Sequence, residues 1–444
     1  MQNNFSHLES KPVVQFFSYS VPAILGMLLT SGIVVIDGLF IGNIIGKEGL
    51  AGVTLTLPVL YLFLGTAIMI GVGGAVKTGH SLGAGKKDEA AGYFSSTLAL
   101  AVIMIMGLTG LCAAFFDPVL EKLNTDPALH TFVKSYLGTI LWFYPAMMIN
   151  IIFSIFIRAE GRPGLSLFFG VAGNALNIVL DYLMIARMGL YGAALATGIS
   201  VLIPMSCGIL YFLSGRSVLR FVKFSWVWQD MGRILFNGSS EMIGQLSIGF
   251  TTWVFNRVIL SRLGVDGVAA YTIVGYVAFV QMMIITGFAM GLGPIVGYDF
   301  GAGKTDHIQR IMKIALISGF VAGVFCWAVV LFSSTKIAAS FSLGNENIII
   351  LARSAFGLFA AAFLLNGFNI LITAYFTAMG NALISLVVAS LRGLLLINLF
   401  VLVLPLFMGD AGIWASYPLA ELATLLFAAV FMRQSYKSAG LRNF

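Results

Sequence analysis

Four ionisable side chains lie deep inside long apolar runs of this sequence: Asp37, Asp181, Glu241 and Arg392. From Val13 to Ile45, Asp37 is accompanied by no other ionisable group except Tyr19. Around Asp181 the chain reads G173-N-A-L-N-I-V-L-D181, which places Asn174, Asn177 and Asp181 at i, i+3 and i+7, on one face of a helix. Two amides and a carboxylate on one stripe make a hydrophilic wall. Opposed to Asp37, that wall can hold a proton between two acids, or offer hard oxygen ligands to a small cation such as Na⁺. The asparagines also have a plainer role open to them, as interhelical hydrogen-bonding groups contributing about 0.6 kcal/mol each. Glu241, in N237-G-S-S-E-M-I-G-Q245, is either a carboxylate for a cationic substrate or an interfacial acid. Arg392, in S390-L-R-G393, is either a counter-ion or a side chain that snorkels toward the cytoplasm.

Such charges need a scaffold able to tolerate them. The chain has 444 residues, 59% hydrophobic and only 10% charged, with 50 glycines and a mean hydropathy of +0.97. Soluble domains carry about 25% charged residues, so the composition is that of a membrane protein. Hydrocarbon about 30 Å thick needs about 20 apolar residues in a helix. Twelve segments of that kind follow one another, near 15–44, 53–76, 93–116, 132–157, 164–186, 190–213, 234–256, 268–298, 311–332, 352–376, 382–404 and 411–432. Lipid offers the backbone no partners, and runs this long fit helices rather than ten-residue alternating strands. The polar start MQNNFSHLESK gives no cleavable leader, so the first span is expected to be retained. Sixteen Lys and Arg residues fall on the side of the termini and eight on the other, which predicts cytoplasmic termini in a multi-pass plasma-membrane protein, the bacterial inner membrane. That asymmetry accounts for the net charge of +7, and no nucleic-acid partner is implied. Cys112, Cys207 and Cys326 are scattered within spans and are expected to be small buried hydrophobes rather than disulfides or ligands.

The sequence repeats. At an offset of 218, Gly46, Gly49, Thr54, Gly85 and Lys86 match Gly264, Gly267, Thr272, Gly303 and Lys304; at 219, Asn150, Gly161 and Ser166 match Asn369, Gly380 and Ser385. The expected fold is an all-α integral membrane protein, with twelve transmembrane helices in two six-helix lobes related by a parallel internal repeat. The amino-terminal lobe spans 1–213, a basic cytoplasmic linker 214–233 and the carboxy-terminal lobe 234–444. Two lobes that rock about a central cavity are a transporter architecture. Asp37 and Asp181 pair in the repeat with Phe255 and Phe400, which confines this acid chemistry to the first lobe. Although G83-A-G-K86 and G301-A-G-K304 look like phosphate loops, His80 and Tyr298 stand where a Walker motif needs glycine, so ATP use is not expected.

Together these residues resemble a known family. Asp37 followed by G42-N-x-x-G46-x-x-G49-L-A51, the loop L82-G-A-G-K86, R158-A-E-G161-R-P163, N174-x-x-N177-x-x-x-D181 and G192-A-A-L-A-T197 are similar, in this order, to the multidrug and toxic compound extrusion family, nearer its DinF-like prokaryotic branch. The resemblance implies efflux of small amphiphilic, often cationic drugs in exchange for H⁺ or Na⁺, with no other cofactor. It places the cation-coupling site at Asp37, Asn177, Asp181, Thr197 and Ala193, the last through its carbonyl, beside Asn174. It makes Glu241 a substrate-binding or secondary acid. The tenth span, N366-G-F-N-I-L-I-T-A-Y375, lacks the acid that partners the seventh-span carboxylate in some Na⁺-coupled relatives, which favours the first lobe. The bilayer and the drug are the only partners expected, and the chain is expected to act as a monomer and not as an enzyme. His7, His80, His130 and His307 lie outside or at the edges of spans, away from the two aspartates. A second reading, a flippase for lipid-linked saccharides, requires a cavity lined by several basic residues, toward which Arg392 points alone.

Overall fold

With water excluded, a chain this apolar closes its backbone hydrogen bonds locally, and the result is helical almost throughout. The computed structural model describes residues 11–123, 127–223, 226–342 and 345–438. Both chain ends, on which the expected cytoplasmic termini depend, lie outside the described residues. The helices are α1 (Pro12–Ile44), α2 (Lys47–Gly83), α3 (Lys87–Ala114), α4 (Phe116–Leu123), α5 (Pro127–Ile140), α6 (Tyr144–Ala159), α7 (Pro163–Leu213), α8 (Trp228–Gly301), α9 (Thr305–Phe341), α10 (Glu346–Phe359), α11 (Asn366–Ala378), α12 (Ala382–Ser390), α13 (Leu396–Met408) and α14 (Ala411–Ser438).

Among the described residues nine helical stretches are long and apolar enough to cross a membrane, and α5 with α6, bent by 53° at a short break, makes a tenth. Non-helical glycines interrupt two of the nine, Gly189 in α7 and Gly264 in α8. Divided there, the stretches number twelve. Both glycines have positive φ, a region that costs other L-residues roughly 1–2 kcal/mol. Such glycines recur in register along the chain: Gly46 with Gly264, Gly85 with Gly303, Gly161 with Gly380, and Gly189 with Gly409. The repeat is therefore written into backbone conformation, since these four positive-φ glycines of the first half each have a counterpart in the second. The break within the fourth span, between α5 and α6, is likewise matched by a 3₁₀ turn at Ala360–Leu364 between α10 and α11.

The offset between partners is not constant. It is 218 for Gly46 and Gly85, 219 for Gly161 and 220 for Gly189. The last change falls between Ser385 and Gly409, a stretch in which a π turn at Leu391–Leu395 joins α12 to α13. Beyond that turn the counterpart of Asp181 is Val401, not Phe400. The counterpart is still apolar and is fully buried.

The chain forms two compact units. One comprises Leu25–Met242 with Gly297–Gly303, and the other comprises Lys11–Ile24, Ile243–Val296 and the chain from Lys304 onward. The first is cored by aromatic pairs such as Phe63 with Tyr144, ring centroids 4.7 Å apart, and Phe94 edge-on to Phe156 at 5.0 Å. The second has its own core, in which Phe16 stacks on Phe288 at 5.7 Å and Phe255, the counterpart of Asp37, stacks on Tyr271 at 5.2 Å.

Candidate cation-coupling site

In the first unit α1 runs beside the first arm of α7, and Phe40 of α1 approaches Tyr182 of α7 at 6.4 Å between ring centroids. Next to Tyr182 and one turn before Phe40, the carboxyl groups of Asp181 and Asp37 come within hydrogen-bonding reach of each other. Asp181 is 1% exposed, and Asp37 is partly buried. Asp37 Oδ1 and Asp181 Oδ2 are buried with no hydrogen-bond partner among the described residues. Two acids so placed cannot both ionise without cost. A shared proton or a bound cation removes that cost, and the donor set is chemically suited to either.

Asn177, one turn before Asp181, is also buried, and its amide nitrogen has no acceptor among the described residues. Ala193 lies in the small apolar cluster of Ile41, Ile185 and Leu190 that lies beside the acids. Asn174 and Thr197 are partly exposed, and no side-chain hydrogen bond ties either to the acid pair. The Thr197 carbonyl instead accepts from Ser200 Oγ at 2.8 Å. Glu241 lies in α8, partly buried and without a hydrogen bond or ion pair among the described residues. The close packing of Gly173 against Pro204, which a Cβ would approach to 2.9 Å, holds the two arms of α7 together beside this stripe.

Sequence reasoning missed Tyr136. It packs with that apolar cluster from α5 and is close enough to feel both aspartates electrostatically. A tyrosine in an aromatic-rich span carries no spacing signal that would single it out.

A second omission concerns the other unit. Glu421 of α14, inside the twelfth apolar run, is a further deep ionisable residue, buried at 3% exposure. Arg392 does not snorkel. Its Nε donates to Glu421 Oε1 at 2.9 Å, and its Nη2 lies 3.7 Å from Met282 Sδ. Asn369 Nδ2 donates to Glu421 Oε2 at 2.7 Å and to the Glu421 carbonyl at 2.8 Å. Tyr417 completes the group by hydrogen bonding to Arg392. The second lobe thus carries a charge pair of its own, although it lacks counterparts of Asp37 and Asp181.

Outside the spans, Glu160 follows α6 and is fully buried. It accepts from Ser217 Oγ at 2.6 Å, from the Val218 amide at 2.5 Å and from Tyr211 Oη at 3.2 Å, so it pins the start of the linker to the first unit. Burial pushes its carboxyl above the ordinary range, against the opposing pull of those donors and of Arg162.

The sequence model of the MatE family matches residues 22–183 and again 241–404, the two matches beginning 219 residues apart. The chain belongs to the MatE family. Its relatives include the multidrug export protein MepA of Staphylococcus haemolyticus strain JCSC1435, 26% identical over 97% of this chain and 95% of that protein. Among solved structures, MATE in complex with MaL6 superposes with a TM-score of 0.93 at 20% identity, over 99% of both chains. A MOP superfamily transporter from Pyrococcus furiosus Vc1, whose binding pocket of reversed polarity is said to suggest a different function, superposes at 0.92 and 20% identity over the full length of both. The MatE fold thus runs the whole length of the chain.

Proposed function

We propose that this MatE-family chain is a secondary exporter of small amphiphilic, often cationic compounds, driven by inward movement of H⁺ through the first lobe. It works by alternating access in the plasma membrane, as a monomer, with both termini cytoplasmic. The observation that carries this reading is the contact between the Asp37 and Asp181 carboxyls inside a span pair that otherwise offers them no charge. An acid pair costs too much in a bilayer to be kept for packing, and such groups mark ion pathways. The name of the MepA relative, and its match over nearly the whole chain, support export of drugs.

In this mechanism Asp37 and Asp181 hold the proton, Asn177 and Thr197 supply neighbouring polar groups, and Tyr136 closes the apolar side. Neutralising Asp37 removes its need for polar partners. The first span, already weakened by Pro22 within α1, is then free to bend and to shrink the space left for the drug. Glu241 contributes an acid for cationic substrates. Na⁺ held by Asp37, Asn174, Asn177, Asp181, Thr197 and the Ala193 carbonyl is the competing ion.

The flippase reading loses support from the Arg392 geometry. A guanidinium already neutralised by Glu421 is poorly placed to receive a pyrophosphate. Proteoliposomes decide between the ions: an imposed pH gradient in Na⁺-free buffer should drive uptake or efflux of a fluorescent organic cation. Transport that appears only with Na⁺ and ignores pH would reassign the coupling ion to Na⁺ at the same residues.

A further inference from the structure

With Asp37 and Asp181 holding the coupling proton, as proposed above, exchange for drug is obligatory only if that proton cannot cross the first lobe by itself. The polar stripe that ends at Asp181 extends further back than Asn174. Ser166, Gly170, Asn174, Asn177 and Asp181 stand at i, i+4, i+8, i+11 and i+15, all on one face of the first arm of α7. Polar groups one helical turn apart are about 5.4 Å apart along the axis, a gap that one water closes with two hydrogen bonds of about 2.8 Å. On α6, Asn150, Ser154 and Arg158 likewise share a face. The two faces meet at Ser154 and Ser166, whose hydroxyls lie 2.7 Å apart. At Gly170, where the stripe has no side chain, the helices leave a cavity of about 40 Å³, lined among others by Asn150, Ser154, Ser166, Phe169 and Pro204. It has room for at least one water, and its hydroxyls and amide supply the partners that a buried water needs. Wetted there, the stripe leads from Asp181 about 22 Å back to the end of α7 that the proposed topology puts at the cytoplasm.

A cation stands at that end. Long basic side chains at the end of a span ordinarily reach outward to the interface. Arg158, partly buried in the last turn of α6, instead turns back along its helix. Its Nη1 donates to Ser154 Oγ at 2.7 Å and to Ser166 Oγ at 3.2 Å. No carboxylate neutralises it among the described residues, and Glu160, two residues on, is engaged with Ser217, Val218 and Tyr211. A fixed positive charge over a narrow polar passage is a barrier to protons. At an effective dielectric of about 20, a proton about 6 Å from a guanidinium is disfavoured about a hundredfold, and about tenfold where solvent screens the charge. The second lobe makes the telling comparison. It keeps the polar foot of the stripe, with Asn369, Thr373 and Ser385 at the places of Asn150, Ser154 and Ser166, yet Ile397 and Val401 replace Asn177 and Asp181, and Thr377 replaces Arg158. The lobe without the acids is also without the arginine.

We propose that Arg158 is an electrostatic seal of the first lobe: fixed by the Ser154 and Ser166 hydroxyls over the foot of the stripe, its guanidinium keeps the proton of Asp37 and Asp181 from leaking through the lobe to the cytoplasm. The proton then crosses only when the lobes change state, and each crossing is available to move drug. Arg158 acts on the proton through space and takes no part in holding it. The role rests on the proton reading of the acid pair.

The test uses the full chain in liposomes that enclose a pH-sensitive dye, in Na⁺-free buffer with the membrane potential clamped. Proton influx after external acidification is read without drug, and transport of a fluorescent organic cation is read beside it. The wild-type chain should be tight to protons without drug and should move drug when a pH gradient is imposed. Arg158→Gln should raise drug-free proton influx at least about tenfold and lower the amount of drug moved per proton. Arg158→Lys, which keeps the charge, should restore tightness. Adding Asp181→Asn to Arg158→Gln should close the leak, because the stripe then has no acid to load it. Should Arg158→Gln fail to insert, Ser154→Ala/Ser166→Ala, which frees the guanidinium to swing outward, should leak in the same assay by a smaller factor. Wild-type tightness in the neutral variant, or in the serine variant where that one is used, would overturn the seal while pH-driven drug transport leaves the proton reading standing. A leak that survives Asp181→Asn would also overturn it, since such a leak does not pass along the stripe. Wild-type transport that ignores pH would remove the proton reading itself, and the seal with it.

Discussion

Removing both members of the Arg392–Glu421 pair should cost no more than removing either one alone. The side chains are 20% and 3% exposed and meet at 2.9 Å. Unit charges about 4 Å apart attract by about 4 kcal/mol at an effective dielectric of 20, and breaking a buried pair from one side typically costs about 3–5 kcal/mol. Arg392→Met leaves Glu421 ionised with Asn369 Nδ2 as its remaining side-chain donor, which offsets about 1 kcal/mol. The expected loss is therefore about 3 kcal/mol, and Glu421→Gln, which strands the guanidinium, should lose a similar amount. The double variant Arg392→Met/Glu421→Gln has no charge to strand. It should also lose about 3 kcal/mol rather than the additive 6, a coupling energy of about 3 kcal/mol. Chemical unfolding of the four proteins in mixed micelles, read by tryptophan fluorescence, measures the cycle. Single variants that each lose less than about 1 kcal/mol and add in the double would refute the reasoning, because that is the behaviour of a solvated surface pair.

Asp37→Asn should fold and insert normally yet lose export, and near-normal drug resistance at equal expression would remove Asp37 from the mechanism. Asp181→Asn should impair ion coupling while Glu241→Gln changes mainly substrate range or rate; if only Glu241→Gln abolishes transport in proteoliposomes, coupling resides with that acid. Glu160 predicts a pH dependence of stability. Its folded carboxyl sits above its ordinary value of 4.5, chiefly through burial, so it holds its proton more tightly folded than unfolded. Its contribution is full below pH 4.5 and is lost as pH rises through the raised value. Glu160→Gln should flatten that decline in a series of thermal midpoints, and an unchanged slope would refute the assignment.

The acid pair was legible in the sequence because a bilayer makes any carboxylate expensive, and because the helical period fixes Asn177 and Asp181 on one stripe whatever surrounds them. That Asp37 would meet this stripe required the order of the motifs as well. Tyr136 was not legible, since its role comes from its distance to two acids in other helices and its own span is full of aromatic residues. Glu421 satisfied the same rule as Asp37, but its partner is 29 residues away and on another helix, so no local spacing advertises the pair. Arg158 read as one more positive charge for membrane orientation. Only the direction of its side chain, back into the lobe, distinguishes it from its neighbours. The glycine breaks were half visible: Gly46 with Gly264 stood out as a match, whereas Gly189 with Gly409 emerged only once both φ angles were seen to be near +60°.

The π turn at Leu391–Leu395 has a meaning in the history of the two halves. One additional residue in an α-helix rotates everything beyond it by about 100°, because 3.6 residues make a turn. An insertion in the eleventh span would therefore have swung Ile397, Asn398 and Val401 away from the neighbours against which they are now buried. The wider π turn absorbs the extra residue within five positions, so the helix keeps its phase on both sides while Arg392 occupies the bulge itself. The second lobe could thus gain its arginine without surrendering the inherited packing. By the same logic, deleting Arg392 itself should restore a regular helix in register with the fifth span, at the cost of the charged partner that Glu421 has among the described residues.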